Sequence, residues 1–192
     1  MVGIDELLGG LDGRPFASLW YWLLLTGVWT WLGRGALGIP SELVAAVRRQ
    51  AREGGGEPGD PLAPTLLDWL SLVTPRWRIG PAEGAVLLGF AAFAVTVVAL
   101  LGFLYGLPTA QGLALLAAPL VVLAVLRVRL AAGLAALLAH AEAGGLTPAA
   151  AAAEAARRIT LHMRLTLLLS ALSVGGAALW GVDWIMRHPN GL

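Results

Sequence analysis

The chain has 192 residues, 58% of them hydrophobic and 13% charged, with a mean hydropathy of +0.77. Ordinary soluble domains are about half apolar and about a quarter charged, so this balance points to an integral membrane protein. A net charge of +1 gives no field to collect nucleic acid, and the lack of Cys excludes disulfides, thiolate metal sites and cysteine nucleophiles.

All thirteen basic residues are Arg, which together with abundant Ala, Gly and Leu suggests a bacterial source of high GC content. The N-terminal Ile4, Leu7, Leu8 and Leu11 suit one or two helical turns on a membrane surface. The first candidate span, 16–33, is uncharged. Acidic Asp5, Glu6 and Asp12 precede it where a signal peptide carries basic residues, and no Ala-x-Ala site follows, so it is expected to stay in the protein.

Trp20, Tyr21 and Trp22 mark one end of this span and Trp29 and Trp31 the other. Trp20 and Trp31 share one helical face, and Trp22 and Trp29 share another. Interfacial anchoring is the ordinary role of such rings, which combine an apolar body with a polar tip. Four Trp on two stripes also suit contact with a partner subunit, a pigment or a quinone, because large rigid aromatics dominate binding surfaces. Trp20, Trp22, Trp29 and Trp31 are therefore candidate partner-facing residues.

The loop 34–84 has three parts. Ser41 can cap a helix through Arg52, with Leu43, Val44, Val47 and Ala51 on one stripe and Arg48, Arg49 and Arg52 opposite; it reads as lying on the inner membrane surface. The Gly/Pro-rich stretch 53–61 reads as a flexible linker. Leu66, Leu67, Trp69, Leu70 and Leu72 then form an apolar segment too short to cross, closed by Arg76, Trp77 and Arg78.

Spans at about 85–107 and 109–126 follow, turned tightly at Gly106, Leu107 and Pro108. Gly102 and Gly106 form a GxxxG surface that permits close helix contact. Pro119 removes the hydrogen bond to the Leu115 carbonyl and should kink its helix. The pattern continues past Arg127 to Ala143, breaks at Gly144 and Gly145, and restarts with Thr147 as N-cap and Pro148 at the first helical position. A cytoplasmic helical hairpin over 127–164 results, projecting about 25 Å at helical rise. The last span covers about 165–186, and Trp180 and Trp184 sit at its end.

Arg placement sets the orientation. Loops 34–84 and 127–164 hold eleven Arg, against Arg14 and Arg187 on the other side. Both termini are therefore expected in the periplasm and both loops in the cytoplasm.

The sequence offers little chemistry. In the predicted hairpin His140 lies near the tip and His162 near Arg127, about 12 Å apart in height, too far to share a metal or haem. Asp183, between Trp180 and Trp184, is the one ionisable group near a span; it is either a functional acid or an interfacial one. Ser170 and Ser173 lack a His or Lys at depth to activate them. No catalytic, metal or cofactor site is expected.

Several segments carry a likeness. Phe16-Ala17-Ser18-Leu19-Trp20-Tyr21-Trp22, Trp29, Leu37-Gly38-Ile39-Pro40, the run Leu100 to Gly106, and Ala178-Leu179-Trp180-Gly181 together resemble a group of small alphaproteobacterial inner-membrane proteins. That group goes under the label "component of the Suf complex", the iron–sulfur cluster assembly machinery. The resemblance covers most of the chain and implies a fold and a bacterial group. It transfers no active residue.

The sequence thus predicts one all-α integral-membrane domain over residues 1–192, a four-helix bundle with a cytoplasmic hairpin extension between its third and fourth spans. Its expected role is a non-catalytic accessory or scaffold subunit, or an assembly factor, of a larger respiratory or photosynthetic membrane complex. The expected partners are other integral-membrane subunits, the lipid bilayer and a cytosolic protein at the 127–164 hairpin. The alternatives are a membrane tether for iron–sulfur cluster assembly and a small transporter or channel.

Overall fold

The computed structural model describes residues 15–53 and 61–187. The surface turns expected at residues 4–11, Arg14, most of the Gly/Pro linker and His188 lie outside the described residues. Six α-helices order the rest: α1 (Leu19–Gly33), α2 (Ser41–Arg52), α3 (Leu62–Val73), α4 (Pro81–Ala99), α5 (Pro108–Glu142) and α6 (Pro148–Arg187). Short 3₁₀ turns at Pro15–Ala17 and Thr74–Trp77 and a π turn at Leu100–Leu104 complete the described helical structure. The all-helical class expected from sequence is present, with no strand among the described residues.

Three helical stretches are long and apolar enough to cross a membrane: Pro81–Leu104, Pro108–Glu142 and Pro148–Arg187. The first apolar segment differs from expectation. Its α-helix has 15 residues, about 22 Å at helical rise, against a hydrocarbon core of about 30 Å.

The chain packs as two compact units. Unit one contains the described parts of Met1–Leu32, Gly84–Leu123 and Leu168–Leu192, and unit two contains those of Gly33–Glu83 and Ala124–Leu167.

In unit one, Leu25 and Trp29 of α1, Leu116 and Leu123 of α5 and Ala177 of α6 form the core. Tyr21, Leu25 and Trp29 recur every four residues, so they share the packed face of α1. Ala177 is small enough to let α1 come close. Phe16 closes one end, with its ring edge-on to Tyr21 at 5.5 Å. A Cβ at Gly181 would come within 3.3 Å of the Phe16 side chain. The α4 helix is apolar on all sides and buries no side chain, which leaves its surface to lipid if it crosses a membrane.

Unit two revises the expected loop. Val44 and Val47 of α2, Leu66 and Leu70 of α3, Leu134 of α5, and Ala152, Ala155, Ala156 and Ile159 of α6 form one core. The apolar stripe of α2, expected on the membrane surface, thus faces protein through Val44 and Val47, and the short apolar segment is α3, packed through Leu66 and Leu70. An apolar stripe has the same sequence signature whether lipid or a helix covers it. The hairpin segment 127–164 accordingly contributes its inner faces to a core shared with α2 and α3.

Local signals fix the turns of this unit. At the end of α5 the Gly145 N–H bonds to the His140 carbonyl at 3.0 Å and the Gly144 N–H to the Ala141 carbonyl at 3.0 Å. With Gly144 at φ +77 this is a Schellman C-cap. Thr147 Oγ1 accepts the Ala150 N–H at 3.3 Å, which makes it the N-cap of α6 as the sequence indicates. Leu37 and Gly38, both at positive φ, close a tight turn in which the Ile39 N–H meets the Ala36 carbonyl at 3.1 Å.

Candidate functional site: polar links inside the apolar unit

The polar atoms of unit one converge on two links between helices. The first begins with Pro119. Its ring nitrogen has no hydrogen to give the Leu115 carbonyl, four residues earlier. The α5 helix continues through Pro119, and the Ser173 hydroxyl of α6 donates to that carbonyl at 3.5 Å. Ser173 Oγ in turn accepts the indole N–H of Trp29 at 3.1 Å. One hydroxyl therefore ties α1 to α6 and satisfies the carbonyl that the proline left open. Its partners are an indole and an amide carbonyl, neither a base, so the hydroxyl serves as a link rather than an activated nucleophile.

The second link centres on Gln111, which sequence reasoning passed over. Its buried side chain donates through Nε2 to the Gly102 carbonyl at 2.9 Å. Its Oε1 accepts the Trp180 indole N–H at 3.0 Å. The π turn at Leu100–Leu104 shifts the normal ladder, with the Leu107 N–H reaching the Leu101 carbonyl at 3.2 Å, and Gly102 gives its carbonyl to Gln111 instead. A Cβ on Gly102 would meet the Gln111 backbone nitrogen at 2.6 Å, so only glycine fits there. The signal was available: Gln111 is the one amide side chain in the apolar run 109–126.

These contacts place each candidate residue. Gly102 forms a close contact inside the unit, between the π turn and the start of α5. Gly106, at φ +72, supplies the left-handed turn residue between α4 and α5. The four N-terminal Trp separate by face. Trp29 is 5% exposed and hydrogen-bonded within the unit. Half-buried Trp22 ties α1 to the turn before it by donating to the Phe16 carbonyl at 3.1 Å. Trp20 and Trp31, at 59% and 76%, remain exposed and form the outward stripe. Trp180 stands edge-on to Phe103 at 5.0 Å, and Trp184 packs near Phe16 at 6.2 Å. Asp183 forms an ion pair with Arg187 one turn on, at 2.9 Å, an arrangement typical of a helix surface.

Beside the Ser173 link lies a cavity of about 340 Å³. Its walls include Val95, Phe103, Ala118, Pro119, Leu169 and Gly176.

Unit two carries the remaining polar groups. Glu154 bonds both Arg157 and Arg158 at 2.7 Å. Hydrogen bonds from Arg157 first, and then from Arg158, hold its carboxyl down to about 2. Arg158 also donates to the Gly133 carbonyl at 3.0 Å, a cross-link between the two arms of the hairpin. His162 is buried, and its Nε2 makes no hydrogen bond. Burial and the Arg127 cation lower its pKa below the ordinary histidine value, which favours the neutral ring. His140 is exposed, its ring against Gly145. Among the described residues, no three His, Asp or Glu side chains gather as a metal site requires.

Comparison with protein families, curated proteins and solved structures returns no match.

Proposed function

We propose that the chain is a non-catalytic accessory or scaffold subunit, or an assembly factor, of a larger complex in a bacterial inner membrane. The observation that carries this reading is the allocation of side chains in unit one. Polar groups at Trp29, Ser173, Gln111 and Trp180 are committed to helix-to-helix hydrogen bonds. The outward surface is made instead mainly of aromatics and aliphatics, including Trp20 and Trp31, and the hydroxyls of Thr26 and Thr96 turn back to carbonyls of their own helices. A partner subunit recognises such a surface by packing rather than by polar chemistry.

The proposed topology has four crossings, with both termini in the periplasm. Contacts of α1 support the fourth crossing. Phe16 packs by Gly181 and Trp184, and Trp29 bonds Ser173, so the segment from Phe16 to Trp29 runs antiparallel to α6 between Ser173 and Trp184, about 16 Å of helix axis. A helix held alongside a crossing helix shares its depth in the bilayer, which favours a crossing by α1 as well. With the preceding Pro15–Ala17 turn it brings nineteen residues, within the usual spanning range of about 17–25. The eleven Arg of the two loops favour cytoplasmic placement of unit two.

Purification of tagged protein in mild detergent, with identification of co-migrating chains, tests the function. A cofactor-bearing membrane complex is expected. Recovery of the protein only as a homo-oligomer, or only with cytosolic cluster-assembly factors, would overturn it. Replacing Trp20 and Trp31 by Leu should preserve insertion and release the partner.

A further inference from the structure

The cavity in unit one has the form of a slot. On α6 it extends from Leu169 to Gly176, about 10 Å along the axis. Its hollow comes from small residues: Ala114 and Ala118 on α5 and Gly176 on α6. A Cβ on Gly176 would meet no atom within 4 Å. The slot opens on the outside of the unit, where Leu172 and Phe103 are exposed at its edge. At 340 Å³ it falls at the low end of ligand-pocket sizes, about 300–1,000 Å³.

Its chemistry restricts the occupant. Ser173 supplies the hydroxyl in the lining, and that hydroxyl accepts from Trp29 and donates to the Leu115 carbonyl. Among the described residues, no charged side chain lines the slot. A quinone ring would find no free donor for its carbonyls, and a tetrapyrrole would find no axial ligand. A straight aliphatic chain needs neither, and the lining residues succeed one another along α5, from Ala114 to Pro119, and along α6, from Leu169 to Gly176, the direction of acyl chains around a crossing helix. We propose that the slot holds one acyl chain of a membrane phospholipid as a resident ligand wedged between α4, α5 and α6. This inference rests on the membrane placement of unit one and is independent of the accessory-subunit role.

The test uses the full chain in phosphatidylcholine vesicles containing a phosphatidylcholine with a diazirine midway along one acyl chain. After illumination, adducts are located by peptide mass spectrometry. Ala114 and Ser173 line the slot yet are buried, whereas Val86, Leu87, Phe90 and Phe93 of α4 are freely exposed. Adducts on Ala114 and Ser173 at several times the level on Val86–Phe93 are expected. Gly176→Leu, for which the slot has room, should reduce them several-fold and leave the α4 labelling unchanged; Ala118→Leu serves if the first variant alters α4 labelling. Slot labelling no higher than α4 labelling would overturn the proposal in the wild-type protein alone. So would labelling that survives a filled slot, or a quinone or pigment that co-purifies with the wild type and is lost from Gly176→Leu.

Discussion

A single hydroxyl at position 173 serves two otherwise unsatisfied groups, and its energetic weight depends on its surroundings. Hydrogen bonds between membrane helices contribute about 0.6 kcal/mol on average and reach about 1.7 kcal/mol. Trp29→Phe and Ser173→Ala, alone and combined, should therefore show a coupling energy of about that size in unfolding titrations. Ser173→Ala should cost more than Trp29→Phe, because it also strips the Leu115 carbonyl of its donor. Additive losses would mean that the two side chains do not interact. His162 gives a pH prediction. Its proton affinity is lowered in the folded state, so the unfolded chain binds the proton more readily. Stability should therefore fall as pH drops through the ordinary histidine value of about 6.5, and His162→Leu should flatten that fall. An unchanged slope in thermal unfolding between pH 7.5 and 5.5 would contradict the assignment. Pro119 shows what the sequence reveals at this scale. Its effect on the Leu115 carbonyl follows from covalent structure alone, whereas the identity of the donor needs the fold, since Ser173 is 58 residues from Leu115.

Ends of helices were more legible than faces. The stop at Gly144 and the restart at Thr147 and Pro148 depend on backbone preferences within a few residues, which the sequence carries directly. Gly144→Ala places a Cβ in the left-handed region and should destabilise the protein by about 1 kcal/mol in denaturant unfolding, with no change in helix content by circular dichroism. The inward face of α1 was not legible. A helix apolar on every side carries no periodic signal for rotation, so Trp20 with Trp31 and Trp22 with Trp29 were equal choices. Packing separates them through Leu25 and Trp29. For α2 the stripe itself was legible, but what covers it was not, because lipid and protein satisfy Val44 and Val47 alike.

At the scale of the molecule, hydropathy located the apolar segments well: the span read at 109–126 lies within Pro108–Glu142, and the span read at 85–107 overlaps Pro81–Leu104 but runs past its end into the turn. It did not reveal that residues between spans build a second core, since that core is assembled from short stripes in four separate stretches of the chain. The proposed topology is open to direct measurement. Reporters placed within 54–60 or at Gly144 should be active in the cytoplasm, and reporters after Leu192 or before residue 15 in the periplasm. A cytoplasmic N-terminus with a periplasmic C-terminus would show that α1 does not cross. Unit two should keep its fold where the membrane unit is perturbed, so Ser173→Ala should leave the protease resistance of its helices unchanged.

The alanine run that opens α6 has a consequence for how this gene tolerates change. By composition the run is monotonous, yet Ala151, Ala152, Ala155 and Ala156 have no exposed surface, while Ala149 and Ala150 face outward. Methyl groups on the inner side set the spacing between neighbouring backbones, and a longer side chain there has no free volume to enter. A saturation screen across 149–156 should therefore return a pattern of the helical period. Leu, Met or Glu should be accepted at 149 and 150 and rejected at 151, 152, 155 and 156, and uniform acceptance would show that the arms of the hairpin are not in close contact. The segment that looks least informative as text would then be among the most restricted in variation.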